Sequence, residues 1–181
     1  MQLGEENENI ESRISNKRSF LSMSLAHASV VELGSTEEFF NRSTRNLTED
    51  HSTYAPVEGM MTVAQHVAHV AQTIDWFIEG AFRPEGFAMD FEEMAKESMA
   101  YTSLAAARGW FEKAVAAAKQ VLASKSDADL MTPLPPGPIM GGAPRIAIVS
   151  AITDHTAHHR GALTVYARLN KIVPPMPYMD M

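Results

Sequence analysis

The sequence predicts an all-α fold, a four-helix bundle, on three observations. Four stretches of the chain repeat apolar residues at intervals of three or four, the period of a helix that is buried on one face. Clusters of proline and glycine separate these stretches, and no alternating pattern of convincing length predicts a β-strand. A chain of 181 residues that is 45% hydrophobic can bury the core of one domain.

The start of the bundle is predicted from a helix-capping pattern. Residues 1–18 are polar and charged, so we expect poor order there, and residues 19–34 are compatible with a short helix. Ser35 and Glu38 have the spacing of a capping box, which predicts a first bundle helix that begins at Ser35 and ends near Glu49. We therefore divide the chain into an N-terminal extension, residues 1–34, and a bundle domain, residues 35–178.

The middle of the chain contains two long helices and a short one. Thr62 is predicted to cap a helix that reaches Gly80, and Asp90 is predicted to cap a short helical piece. An alanine-rich helix over residues 102–124 follows. The helix that starts at Thr62 has one stripe of residues at helical spacing, which we list here: Thr62, His66, His69, Thr73 and Trp76.

The last helix follows a long loop. Residues 131–144 include five prolines and three glycines, which predict an irregular loop of a length that often forms a lid or the wall of a site. Pro144 suits the first turn of a helix, which is predicted to end near Asn170. Its inward stripe consists of Ile148, Ile152, His155, His159, Leu163 (or Ala162) and Tyr166.

Composition and charge argue against several classes of function. The chain has no cysteine, which excludes thiolate zinc sites, disulfides and a cysteine nucleophile. A net charge of -7 without a basic patch argues against nucleic-acid binding. No apolar run reaches the roughly 18–20 residues of a membrane helix, and the segment 17–28 is a poor signal peptide. We therefore expect a cytoplasmic protein that acts on a small molecule, with no nucleic-acid or membrane partner.

Five of the seven histidines form two clusters, one on each of two predicted helices. His155 and His159 are four residues apart, so their side chains lie on one helix face and can converge on one metal ion. A second stripe, with His66 and His69, lies on another helix that can face them. Buried histidines also occur with ordinary hydrogen-bond partners, and spacing alone leaves both interpretations open.

Two segments around these histidines resemble a known family. Residues 155–161 are similar to the His-x-x-x-His-Arg-Gly signature of the DinB-like, or YfiT-like, metalloprotein superfamily. Residues 62–71 resemble the second-helix motif of that family, a Ser or Thr followed seven positions later by a histidine. The resemblance covers roughly residues 35–178 and implies a DinB-like four-helix bundle.

The resemblance implies a set of metal ligands. They are His69, His155 and His159, which would hold a divalent ion such as zinc or nickel. His66 stands where the family usually has an apolar residue, and Ala162 stands where the family often has glutamine. The departure at Ala162 removes any role that an amide would have there, but it does not affect the metal ligands.

The remaining polar residues near these motifs are weaker candidates. His66 is either an ordinary residue or one that lines the site, as a proton carrier or an alternative ligand. His158 points about 100° away from His159 and is predicted to be a surface residue or one that supports a ligand, with a role as a ligand itself as the alternative. Asp154 either orients an imidazole or is solvated. Arg160 is predicted to bind an anionic group of a cofactor or substrate, with a structural ion pair as the alternative.

The leading functional hypothesis is a metal-dependent S-transferase. In the family that the chain resembles, some members use low-molecular-weight thiols such as bacillithiol or mycothiol, and others are described as metal-dependent hydrolases. A transferase would activate a small thiol at the metal and hold an electrophile under the 131–144 loop. Two alternatives stay open, a hydrolase that uses metal-bound hydroxide and a non-catalytic metal-binding stress protein. We also expect a homodimer, for which the alanine-rich helix offers a face.

Overall fold

The computed structural model describes residues 23–179, and their architecture is helical throughout. The elements are α1 (Leu25–Thr44), a 3-10 turn (Glu49–His51), α2 (Val63–Phe82), α3 (Phe91–Met99), α4 (Leu104–Ala123), α5 (Asp127–Met131) and α6 (Ala147–Leu169). Apart from one isolated bridge between Pro133 and Pro144, these residues contain no β-structure. The prediction of an all-α fold is confirmed.

Four long helices, α1, α2, α4 and α6, form the bundle. α1 packs against α4 and α6, and α2 packs against the same two helices, while the short α3 lies on α2. The core between them is apolar and includes Phe40, Phe111 and Ile152, each at most 1% exposed. The rings of Phe40 and Phe111 lie 4.7 Å apart, which joins α1 to α4 across the core.

The predicted helix start at Ser35 is wrong. α1 begins ten residues earlier, at Leu25, where the Ser24 side chain accepts a hydrogen bond from the amide of His27 at 3.2 Å. The helix continues through Ser35 because its preceding turns bury Ala26 and Leu33 in the core. It ends at Thr44, five residues before the predicted end at Glu49. The expected poor order of residues 1–18 lies outside the described residues.

The predicted helix starts at Thr62, Asp90 and about residue 102 agree with the structure, but the predicted start at Pro144 is wrong. α6 begins three residues later, at Ala147, because Pro144 instead lies in the isolated bridge with Pro133. The Thr62 hydroxyl accepts from the Gln65 amide, and the Gln65 side chain accepts from the Thr62 amide, so α2 begins with a complete capping box. Asp90 caps α3, and Ser103 caps α4 within two residues of the predicted start. The five-residue α5 was not predicted, although Ser126 and Asp129 form a capping box at its start.

The proline-rich loop lies against the C-terminal end of α2. The side chain of Pro135 lies beside Gly86, and the guanidinium of Arg145 lies 5.5 Å from the centre of the Phe82 ring. Phe82 follows His69 by thirteen residues, which is about 20 Å along a helix. These contacts therefore lie well away from the histidines, and the predicted role of the loop over an electrophile stays a prediction.

No helix among residues 23–179 has both the length and the hydropathy needed to cross a membrane.

Candidate metal centre

Three histidines from two helices meet between α2 and α6. One ring nitrogen from each of His69, His155 and His159 lies within 4.8 Å of the other two. The Nε2 atoms of His155 and His159 are 3.2 Å apart. The ring of His69 lies 5.0 Å from each of the other two rings, measured between centroids. The structure thus brings together the three residues that the family resemblance implied.

The direction of these side chains depends on the rotation of each helix, and the buried apolar face of the helix fixes that rotation. On α6, Ile152 and Leu163 are buried on the same side as the two histidines, so that this face turns towards the bundle. α2 runs antiparallel to α6, since the Tyr166 hydroxyl donates to the carbonyl of Met61 at 3.0 Å, at the start of α2. His155 and His159 are four residues apart on α6, so both of their rings lie opposite His69 on α2.

Burial keeps these imidazoles neutral at physiological pH. Removal from water, and next the repulsion that neighbouring charged histidines would cause, lower the pKa of His155 to about 4 and that of His159 to about 2. Burial also lowers the pKa of His69, and a side-chain hydrogen bond with Gln72 opposes that shift. A neutral imidazole has one nitrogen with a free lone pair, which is the form that binds a metal.

The donor set fits a divalent metal ion. Two nitrogen ligands at 2.0–2.1 Å from a tetrahedral ion lie about 3.4 Å apart, close to the separation of the two Nε2 atoms on α6. No carboxylate among residues 23–179 belongs to the group formed by the three histidines. Imidazole nitrogens suit zinc and nickel alike. The three residues present can therefore hold such an ion and leave a coordination position open.

A fourth histidine, His66, lies beside this group and contacts one of its members. Its Nδ1 is 2.8 Å from Nδ1 of His159, and its Nε2 is 3.2 Å from the hydroxyl oxygen of Tyr166. The residue is only 7% exposed, and burial lowers its pKa to about 4. Sequence reasoning left its role open, and the structure places it behind His159, on the side of that ring away from His155.

Gln72 is a contact of His69 that sequence reasoning missed. It lies one turn after His69 on α2 and is buried. Its Nε2 donates to the carbonyl of Met94 on α3 and lies 3.4 Å from Oε2 of Glu97. These contacts orient the amide so that its oxygen is available to the His69 ring. The three-residue spacing from His69 was the only signal for this contact in the sequence.

The other candidate residues lie around the centre or away from it. His158 is exposed as predicted, and its ring centroid is 5.0 Å from that of His159. Asp154 is exposed, and its charge opposes the fall in the pKa of His155. Arg160 does not join the histidines, since its guanidinium lies 5.9 Å from the centre of the Phe39 ring on α1. Its role in binding a cofactor stays a prediction.

A cavity of about 710 Å³ lies between α2, α3 and α4, with Gln72 in its wall. Aromatic and acidic side chains make up much of the lining: Asp75, Trp76, Glu79, Glu97, Tyr101 and Trp110. The indole of Trp110 donates to Asp75 at 2.7 Å. Burial, with Glu79 and Glu97 nearby, raises the pKa of Asp75. The cavity is large enough for a small organic molecule, and Gln72, which lines it, also contacts His69 of the metal centre.

The comparison with protein families agrees with the geometry of this centre. A family model described as the DinB superfamily matches residues 33–163. The match runs from Leu33, inside α1, to Leu163 in α6 and includes all three histidines of the centre. Among curated proteins, no relative matches the chain.

Proposed function

Since the chain belongs to the DinB superfamily, we propose that it is a metal-dependent S-transferase that uses a low-molecular-weight thiol. His69, His155 and His159 would hold the divalent ion, zinc or nickel. In the reaction the thiol would lose its proton, and its sulfur would form a bond to an electrophilic carbon of a small substrate. That carbon would release a leaving group with its bonding electrons or, at an activated double bond, the neighbouring atom would take up the proton. One observation supports this proposal above the others, the convergence of three neutral imidazoles with no carboxylate among them.

The charge of the ligand set favours an anionic partner for the ion. Three neutral ligands leave the whole ionic charge at the centre, whereas each carboxylate ligand would cancel one unit of it. A divalent ion held there would supply a Lewis acid, which would favour the deprotonated form of a small thiol. The chain has no cysteine, so the thiol must come from a separate molecule.

The protein's own contribution is to hold the three rings in place and to limit access by water. His159 is buried against His66, and His69 is tied through Gln72 to α3. Of the two α6 histidines in the centre, His155 is the more accessible, since it is half-buried whereas His159 is buried. A small thiol would therefore approach from the side of His69 and His155.

The test compares conjugation with and without metal. Purified protein is supplied with zinc or nickel, bacillithiol or mycothiol, and a panel of electrophiles, and loss of the free thiol is measured. We expect conjugation that a chelator abolishes and that His155→Ala removes together with the bound metal. His158→Ala is the matched control, since that exposed neighbour should keep both metal and activity.

Two results would contradict this proposal. One is conjugation at the wild-type rate by His155→Ala in the presence of chelator. The other is metal-dependent hydrolysis of esters or amides in the absence of any thiol, with no conjugation when a thiol is added. The second result would assign the same centre to hydrolysis.

A further inference from the structure

We infer that His66 and Tyr166 are positioning residues that fix the proton of His159 on Nδ1, and so keep its Nε2 free to bind the metal. This inference rests on the proposed metal centre. It concerns a histidine at a position where the family motif usually has an apolar residue, so the ligand set of the family does not include it. The evidence is a chain of hydrogen bonds that runs from Met61 to His159. The donor of each bond follows from the bond before it.

The assignment starts at Met61. Its backbone carbonyl can only accept a hydrogen bond, so the 3.0 Å contact with the Tyr166 hydroxyl uses the single hydrogen of that hydroxyl. The Tyr166 oxygen must then accept from Nε2 of His66, which lies 3.2 Å away. The opposite direction would leave two oxygens 3.0 Å apart with no hydrogen between them. His66 therefore has its proton on Nε2.

The same reasoning extends from His66 to His159. A neutral imidazole has one N–H group, so Nδ1 of His66 has a lone pair and acts as an acceptor. Nδ1 of His159 is 2.8 Å away and must donate to it. The single proton of His159 is thus on Nδ1, and its Nε2 lone pair points to Nε2 of His155, 3.2 Å away.

The packing of the residues prevents the chain of hydrogen bonds from rearranging easily. His66 is 7% exposed, His159 is 6% exposed and Tyr166 is 2% exposed, so water does not compete effectively for these groups. The His66 ring lies edge-on to both the Tyr166 and His159 rings, at 5.0 and 5.1 Å between centroids. Groups behind a metal-binding histidine commonly fix its tautomer and orientation, and their loss weakens metal affinity about 10–100-fold.

The first test uses the wild-type protein without metal. Long-range proton–nitrogen NMR spectra of the histidine side chains report which nitrogen of each ring is protonated. We expect His159 to have its proton on Nδ1 and His66 to have its proton on Nε2. A proton on Nε2 of His159 would overturn the inference, whatever the activity of the protein.

The second test measures zinc affinity by competition with a chelating dye. His66→Leu should weaken zinc binding by about 10–100-fold, because Nδ1 of His159 loses its acceptor. His66→Gln should recover much of that loss, since its amide oxygen can accept the same hydrogen bond. His158→Leu, the control, should bind zinc within about twofold of the wild type, a difference well under 1 kcal/mol.

The outcomes separate this inference from the proposed function. Unchanged zinc affinity in a folded His66→Leu variant would overturn the positioning role, while the S-transferase proposal would stand. Failure of the wild-type protein to bind any metal would contradict the proposed function. In that case the NMR spectra would still decide the tautomer of His159.

Discussion

The burial of His66 makes a specific prediction about acid stability. His66 has a pKa of about 4 in the folded chain, because burial disfavours its charged form. In the unfolded chain a histidine has a pKa of about 6.5. Below pH 6.5 the unfolded state therefore binds more protons than the folded state, and the free energy of unfolding falls as the pH falls. The loss of unfolding free energy that His66 causes is complete once the pH is below about 4.

The size of the effect follows from the two pKa values. For one group that titrates at about 4 when folded and about 6.5 when unfolded, lowering the pH from 7 to 5 costs about 2 kcal/mol of stability. His66 suits this calculation because it is only 7% exposed. The variant His66→Gln removes the titrating group, so its stability should decline by about 2 kcal/mol less than that of the wild type over this range.

The assay is urea unfolding with chelator at pH 7 and at pH 5, followed by circular dichroism. The comparison uses the change between the two pH values, so any constant cost of the substitution cancels. His158→Gln is the control and should follow the wild type, because His158 is exposed. Equal losses of stability in the wild type and His66→Gln would refute the claim that His66 is held neutral by burial.

Two pairs of variants test other parts of the fold by urea unfolding. Gly80→Ala should destabilise by about 1–3 kcal/mol, because the added Cβ would lie 2.2 Å from a ring atom of Phe87. Gly109→Ala, where nothing lies within 4 Å, should instead stabilise α4 by about 0.5–1 kcal/mol, and a loss there would contradict the packing described. Ser24→Ala should cost about 0.5–2 kcal/mol as the loss of a helix cap, whereas Ser35→Ala should change stability by about 0.5 kcal/mol at most. A larger loss of stability in Ser35→Ala than in Ser24→Ala would support a helix start at Ser35.

The contrast between Ser24 and Ser35 shows where sequence reasoning about the fold fails. Capping patterns are local and predict a helix start only where no earlier turn is held by the core. Thr62 and Asp90 follow loops with proline and glycine, so their capping patterns coincide with real starts. Ser35 follows a segment whose Ala26 and Leu33 pack into the bundle, and this tertiary contact overrides the local pattern.

The metal centre, like the fold, could be predicted only in part from the sequence. The four-residue spacing of His155 and His159 determines that they share a face, and the family motif adds His69. The hydrogen bonds behind them could not be predicted, because they depend on how two antiparallel helices are rotated. His66 meets His159 only because the start of α2 lies beside the end of α6, where Tyr166 also points. Arg160, one residue from His159, points to α1 instead.

The most direct test of the metal centre is the metal content of the purified protein. The protein is expressed and purified without added metal or chelator, and elemental analysis gives the moles of each metal per mole of chain. We predict about one divalent ion per chain in the wild type, the stoichiometry of a site with a single set of ligands, and almost none in His155→Ala, with His158→Ala equal to the wild type. A wild-type protein that stays free of metal even after zinc or nickel is supplied, or a His155→Ala variant that keeps a full equivalent, would contradict the account.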